Sequence, residues 1–275
     1  MNIFICADIE GVGCVVRHEH SRPGQREYEQ ARRWMTNEVN AAVETAFANG
    51  AKSVTVADSH NVGLNLIPDM LHPKTRLVMG SPRPLSMMEG IQEGGFDGVI
   101  FVGAHAMGST INANICHNFH GRVQYVQLNG VTVGELGLNA ALAGHYNTPV
   151  LLVTGDEAAC LESQNLMPDV PTVAVKQPIG AYAANTLMPS QCVQLIAQAT
   201  QKAMAPGAPK CVYKLQGDVL LEMTFTTASS ADRAAGVPRA KRVDALRVSY
   251  HAENVVEAFQ AFHTMVDLLE LIEFI

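Results

Sequence analysis

The chain has 275 residues, 48% of them apolar, and a formal net charge of −7 at neutral pH. That apolar share excludes a disordered chain, and the acidic balance, without clustered Lys and Arg, excludes an ordinary nucleic-acid binder. No run of about 20 apolar residues is present, so no membrane-spanning helix is expected.

A secretory leader is not expected either, because Asp8 and Glu10 interrupt the opening apolar run. The six cysteines form no Cys-x-x-Cys pair and read as reduced core residues of a cytoplasmic protein.

Asn2 to Ala7 is apolar and β-branched, which predicts a buried strand. It runs into Asp8-Ile9-Glu10-Gly11-Val12-Gly13. An unpaired carboxylate in a crevice costs roughly several kcal/mol or goes neutral. Carboxylates at a buried strand's end therefore call for a cation, in the place where open α/β sheets bind ligands. A solvated turn is the plainer alternative. In the polar segment Arg17 to Gln25, His18 and His20 are further ligand types, or simply exposed. Helical spacing from Tyr28 to Ala46, stopped by Asn49-Gly50, predicts the first long helix.

Ser53 to Ala57 is the next strand and ends in Asp58-Ser59-His60. A right-handed crossover brings both strand ends to the same sheet edge. His60 is a good ligand type, or a turn cap. Asp58 ligates as well, or orients His60 from behind. Leu77 to Met79 is a short strand, and Gly80 to Pro84 is expected to turn the chain into a helix ending near Glu93. Asp97 to Gly103 is the clearest buried strand, and it delivers a third ligand type, His105, at its end.

A small polar loop, Gly108 to Asn114, leads to Cys116-His117-Asn118-Phe119-His120. Arg122 to Leu128 and Val131 to Val133 flank Asn129-Gly130, a hairpin signal. Glu135 opens a helix running to about Tyr146. It either serves the helix dipole or faces the same crevice. A strand at Pro149 to Thr154, a helix to Asn165, a strand at Thr172 to Lys176 and a helix from Ser190 to Met204 follow.

Ala205-Pro206-Gly207-Ala208-Pro209 is linker-like and divides residues 1–205 from an α+β stretch, 206–275. That stretch holds strands at Val219 to Thr226 and Ala245 to Tyr250, then a final helix from Glu253. The helix finishes on Ile272, Phe274 and Ile275, an apolar end that docks on its own domain or marks a subunit contact. The expected fold is α/β: a mostly parallel sheet flanked by helices, with a smaller α+β C-terminal part packed into the same unit.

The candidates for chemistry are Asp8, Glu10, Asp58, His60, His105, His117, His120 and Glu135. Mixed carboxylate and imidazole donors suit zinc, manganese or iron rather than magnesium or calcium. Zinc is preferred, since nothing points to redox work. These are more ligands than one tetrahedral zinc takes. Two ions roughly 3.5–4 Å apart, bridged by a carboxylate, would use them, and such a pair hydrolyses amides, esters or phosphates.

In order, Asp8-Ile9-Glu10-Gly11, Asp58-Ser59-His60, Gly103-Ala104-His105-Ala106, Val133-Gly134-Glu135-Leu136-Gly137-Leu138-Asn139 and Ala174-Val175-Lys176-Gln177 span nearly the whole chain. As an ordered set they resemble the zinc-dependent D-aminopeptidase family (DppA type). The resemblance implies a peptidase that removes an N-terminal D-residue from short peptides. It implies two zinc ions per chain: Asp8 bridges them, Glu10 and His60 complete one, and His105 and Glu135 complete the other. It makes His117 the catalytic residue, and it implies a ring of ten subunits around an inner chamber. The segment between His105 and His117 is one residue longer than the family pattern, which leaves His120 as a second possibility for the catalytic group.

Two readings compete. A phosphatase would use Asp8 as nucleophile, but it leaves His60, His105 and Glu135 without a role, and Glu10 matches its second aspartate poorly. A metal-binding scaffold without turnover is the other.

Overall fold

A computed structural model describes residues 1–270. The apolar end at Ile272, Phe274 and Ile275 lies outside them. Seven strands form one sheet in the order β3-β2-β1-β4-β7-β8-β9. Here β1 is Asn2–Ala7, β2 Ser53–Asp58, β3 Arg76–Val78, β4 Gly98–Ala104, β7 Val150–Asp156, β8 Thr172–Gly180 and β9 Ala183–Thr186. Every pairing is parallel except that of β9 with β8. The strand order reverses direction beside β1, with β2 on one side and β4 on the other, which makes the crevice at their carboxyl ends the natural ligand site.

Side chains of β1 alternate between two cores, as the period of a strand requires. Ile3, Ile5 and Ala7 pack with helix α2 (Tyr28–Ala48) and helix α5 (Pro189–Ala203). Phe4 and Cys6 face the opposite core, which is shared with a second, antiparallel sheet. That sheet has the order β11-β12-β10-β5-β6. Its strands are β5 Val123–Leu128, β6 Val131–Val133, β10 Val219–Phe225, β11 Lys241–Arg242 and β12 Arg247–Ala252. Its strands come from both sides of residue 205, so the C-terminal stretch completes a layer begun at Val123.

Asn129 and Gly130 join β5 to β6 with φ of 50° and 80°, the paired positive values of a type I′ turn. Helix α3 (Glu135–His145) starts two residues after β6 and lies between the sheets. The remaining helices are α1 (His18–Ser21), α4 (Glu157–Leu166), α6 (Ala228–Ala234) and α7 (Val255–Glu270). In α7, Phe259, Phe262, Met265 and Leu269 are buried in the second core, so the described part of this helix docks on its own chain.

Two expectations differ from what is found. The segment from Pro84 to Glu93 is not a helix but a loop with two short 3₁₀ turns, Ser86–Met88 and Ile91–Glu93. Gly90 and Gly94 adopt φ of 103° and 72°, values a helix does not contain. The strand from Thr172 continues to Gly180 and folds back as β9. Its outer residues are partly exposed and lack the apolar pattern that marks a buried strand.

Candidate metal centre

Four segments converge at the sheet's carboxyl edge. Asp8 and Glu10 follow β1, His60 follows β2, His105 follows β4, and Glu135 is the first residue of α3. The close approach depends on glycine. The Gly11 N–H donates to the Gly103 carbonyl at 2.8 Å. A Cβ on Gly11 would stand 1.9 Å from the Ala104 carbonyl oxygen, and one on Gly103, at φ +75°, 2.2 Å from the Asp8 main-chain carbonyl oxygen. Side chains there would push apart the two strands that carry Asp8 and His105.

The acidic side chains are buried: Asp8 is 6% exposed, Glu10 2% and Glu135 7%. Asp8 Oδ1 lies 3.4 Å from His60 Nδ1, and Asp8 Oδ2 lies 3.6 Å from His105 Nε2. Glu10 Oε2 is 2.9 Å from His60 Nδ1. Glu135 Oε1 is 3.4 Å from His105 Nε2 and 3.5 Å from His117 Nε2. The rings of His105 and His117 stack with centroids 4.2 Å apart. Ligand atoms of Asp8, Glu10 and His105 lie within 4.8 Å of one another, as do those of His105, His117 and Glu135.

Each of the three histidines has one nitrogen against a main-chain carbonyl. His60 Nε2 faces Ser21 O at 2.8 Å, His105 Nδ1 faces Ala106 O at 2.9 Å, and His117 Nδ1 faces Ile115 O at 2.9 Å. A carbonyl only accepts, so these nitrogens carry the protons. In the neutral rings the other nitrogens then present lone pairs to the centre, as metal-ligating histidines do. Glu10 Oε2 and His105 Nε2 are buried with no hydrogen-bond partner. Buried donor atoms gathered in one centre are what a cation would satisfy, so the donor set fits zinc.

The electrostatics point the same way. Burial, then repulsion from Glu10, pushes the Asp8 carboxyl up to about 6. Burial also opposes ionisation of Glu10, yet His60 holds it well below the usual carboxylate range. Burial disfavours imidazolium at His60 and His105, but Glu10 raises the first and Glu135 the second well above the usual value. Here protons on the imidazoles supply the positive charge that the carboxylates demand, and a metal ion would displace them.

Asp58 plays a different part. It accepts from the main-chain N–H groups of Asn65 and Leu66 at 2.6 and 2.7 Å, and from Asn65 Nδ2 at 2.8 Å. Asn65 Nδ2 also donates to His60 O. Asp58 thus fixes the loop that carries His60 without touching the ring. His120 accepts from Arg122 N through Nδ1 and belongs to neither ligand group among the described residues. His18 and His20 also lie outside them. The sequence reading missed Ser21, whose carbonyl orients His60, because a main-chain contact leaves no mark on residue type.

A parallel sheet with paired carboxylates and imidazoles at its switch point is the architecture of a metal-dependent hydrolase. The family model described as D-aminopeptidase matches residues 1–264. A D-aminopeptidase of Bacillus subtilis is 34% identical over 269 residues, covering 98% of this chain and 97% of the relative. The solved structure of the Zn-dependent D-aminopeptidase DppA from Bacillus subtilis, a self-compartmentalizing protease, is 33% identical. It superposes with a TM-score of 0.96 over 100% of both chains. The chain belongs to the D-aminopeptidase family.

Proposed function

We propose that the chain is a zinc-dependent aminopeptidase that releases an N-terminal D-residue from short peptides, with two zinc ions per chain. The observation that carries the two-ion reading is the posture of Asp8. Its two oxygens face different histidines, His60 and His105, as a bridging carboxylate's would. Glu10 and His60 complete one ion's ligands, and His105 and Glu135 the other's. Zinc, when bound, supplies a Lewis acid that polarises the scissile carbonyl and renders water nucleophilic at neutral pH.

His117 is the catalytic residue in this reading. Its Nδ1–H is held by Ile115 O, so Nε2 is the atom that takes up a proton and returns it to the departing amine. It is less buried than His105, with a side chain 24% exposed against 1%, which suits a group that meets substrate. The phosphatase alternative is not favoured: it requires Asp8 as a free nucleophile, and both Asp8 oxygens lie against imidazoles.

The self-compartmentalizing relative supports a closed oligomer, which we take to be a ring of ten subunits admitting only short peptides. The free cysteines support a reducing, cytoplasmic setting. No described helix is long and apolar enough to cross a membrane.

The test is metal content together with hydrolysis of D-alanyl-D-alanine and L-alanyl-L-alanine. Two zinc ions per chain and a strong preference for the D-substrate are expected. A zinc-loaded protein that hydrolyses neither overturns the peptidase reading. Light scattering reads the assembly, and a monomer at micromolar concentration would end the chamber argument.

A further inference from the structure

Beside the metal centre is a cleft of about 360 Å³, lined by Arg17, His18, Glu19, Arg22, Gln25 and Tyr182. Its volume lies in the range of small-molecule sites. Its walls are tied to the centre. Ser21, within the same segment, holds His60 through its carbonyl. Asn114, three residues before His117, donates to Val16 O at 3.1 Å and to Ala181 O at 3.0 Å, next to Arg17 and Tyr182. The Ile115 N–H donates to Ala181 O at 2.9 Å. His18 stacks edge-on against Tyr182, closing one side.

The lining is rich in donors and poor in free acid. Glu19, its one carboxylate, pairs with Arg17 at 3.3 Å. Arg22 has no carboxylate partner among the described residues, in a chain whose net charge is −7. A guanidinium without an acid, in a cleft also lined by a second one and by a tyrosine, suits a carboxylate, which it binds through paired N–H donors. On a short peptide the group that is always anionic is the α-carboxylate, and it lies only a residue or two from the first peptide bond.

We infer that this cleft binds the C-terminal carboxylate of the substrate, with Arg22 as its principal donor, so that the enzyme selects di- and tripeptides with a free carboxyl end. The inference rests on the aminopeptidase reading and adds to it a second anchor, at the opposite end of the substrate from the amine.

The experiment compares D-alanyl-D-alanine with its C-terminal amide on the zinc-loaded wild type and on Arg22→Ala. The wild type is expected to favour the acid in kcat/KM by roughly 10- to 100-fold, the worth of a charge-assisted hydrogen bond. In Arg22→Ala the KM for the acid rises and the acid-to-amide ratio falls towards one. Arg22→Lys retains part of the preference. Equal rates for acid and amide in the wild type, or the same ratio in Arg22→Ala, overturn the assignment.

A dipeptide whose scissile amide is reduced to a methylene-amine linkage, titrated calorimetrically as acid and as amide, separates the two claims. Arg22-dependent preference for the acid without turnover keeps the cleft and removes the peptidase reading. Turnover without such preference does the reverse.

Discussion

Lys176, on β8, donates from its buried ammonium to the main-chain carbonyl of Glu10. The same ammonium donates to Val15 O. One cation therefore clasps both ends of the loop that follows the metal-facing carboxylates, from beneath. Lys176→Met keeps all but one atom of the side chain's length and removes both hydrogen bonds. Groups that orient metal ligands are typically worth 10- to 100-fold in metal affinity. Zinc affinity, measured by competition with a chromogenic chelator, is expected to fall by about that factor. Equal affinity in both proteins would mean the loop holds its shape without the lysine.

Asp8 and Glu10 serve different numbers of ions in the proposed arrangement, so their variants separate. Asp8→Ala is expected to lose both zinc ions and activity together. Glu10→Gln weakens only the ion shared with His60 and leaves about one zinc per chain. Metal content after dialysis at fixed free zinc reads this directly. If Asp8→Ala kept two tightly held ions, the bridging role would be wrong.

His117→Ala tests the division between ligand and catalyst. Its Nε2 sits 3.5 Å from Glu135 Oε1, within reach of the ions' ligand set. As a proton carrier it is expected to cost roughly 10²- to 10⁴-fold in kcat while the metal content stays at the wild-type value. Loss of zinc in the variant would make His117 a ligand, and full activity would leave it no role.

The strands and their ligand-bearing ends were legible because each combines two independent signals: a β-branched apolar run and an acid or histidine within three residues of its end. Asp8, His60 and His105 all stand at such ends. The hairpin at Asn129-Gly130 was legible for a similar reason, since two residues there tolerate positive φ. What stayed hidden rests on contacts rather than residue type. Asp58 has the chemistry of a ligand, yet its oxygens are taken up by main-chain N–H groups in its own loop. Residues 206–275 read as a separate α+β stretch because a sheet built from β5, β6, β10 and β12 joins segments distant in sequence. No local pattern reports that pairing. The cleft around Arg22 was invisible for the same reason: Tyr182 reaches it from β8–β9, a hairpin without an apolar signature.

Glu38, on α2, sets a pH dependence of stability. Its Oε1 accepts the Gly13 N–H at 2.9 Å, and its Oε2 is buried without a partner. Burial pushes the carboxyl up from 4.5 to about 7, against the pull of Gly13, Lys176 and the neighbouring Cys192 thiol. Between those values the folded chain holds a proton that the unfolded chain has released. Stability therefore falls as pH rises from about 4.5 to about 7, and this contribution is constant above that. The shift corresponds to about 3 kcal/mol across the window. Glu38→Gln keeps the acceptor for Gly13 and cannot ionise, so it lacks this loss. Urea unfolding of wild type and variant is expected to show a stability difference that grows in favour of Glu38→Gln between pH 5 and 7, then levels off by pH 8. Comparing the two proteins under identical metal conditions cancels the titration of the zinc ligands. Parallel curves would mean that Glu38 is already ionised in the folded protein and that its unpartnered oxygen is satisfied by water.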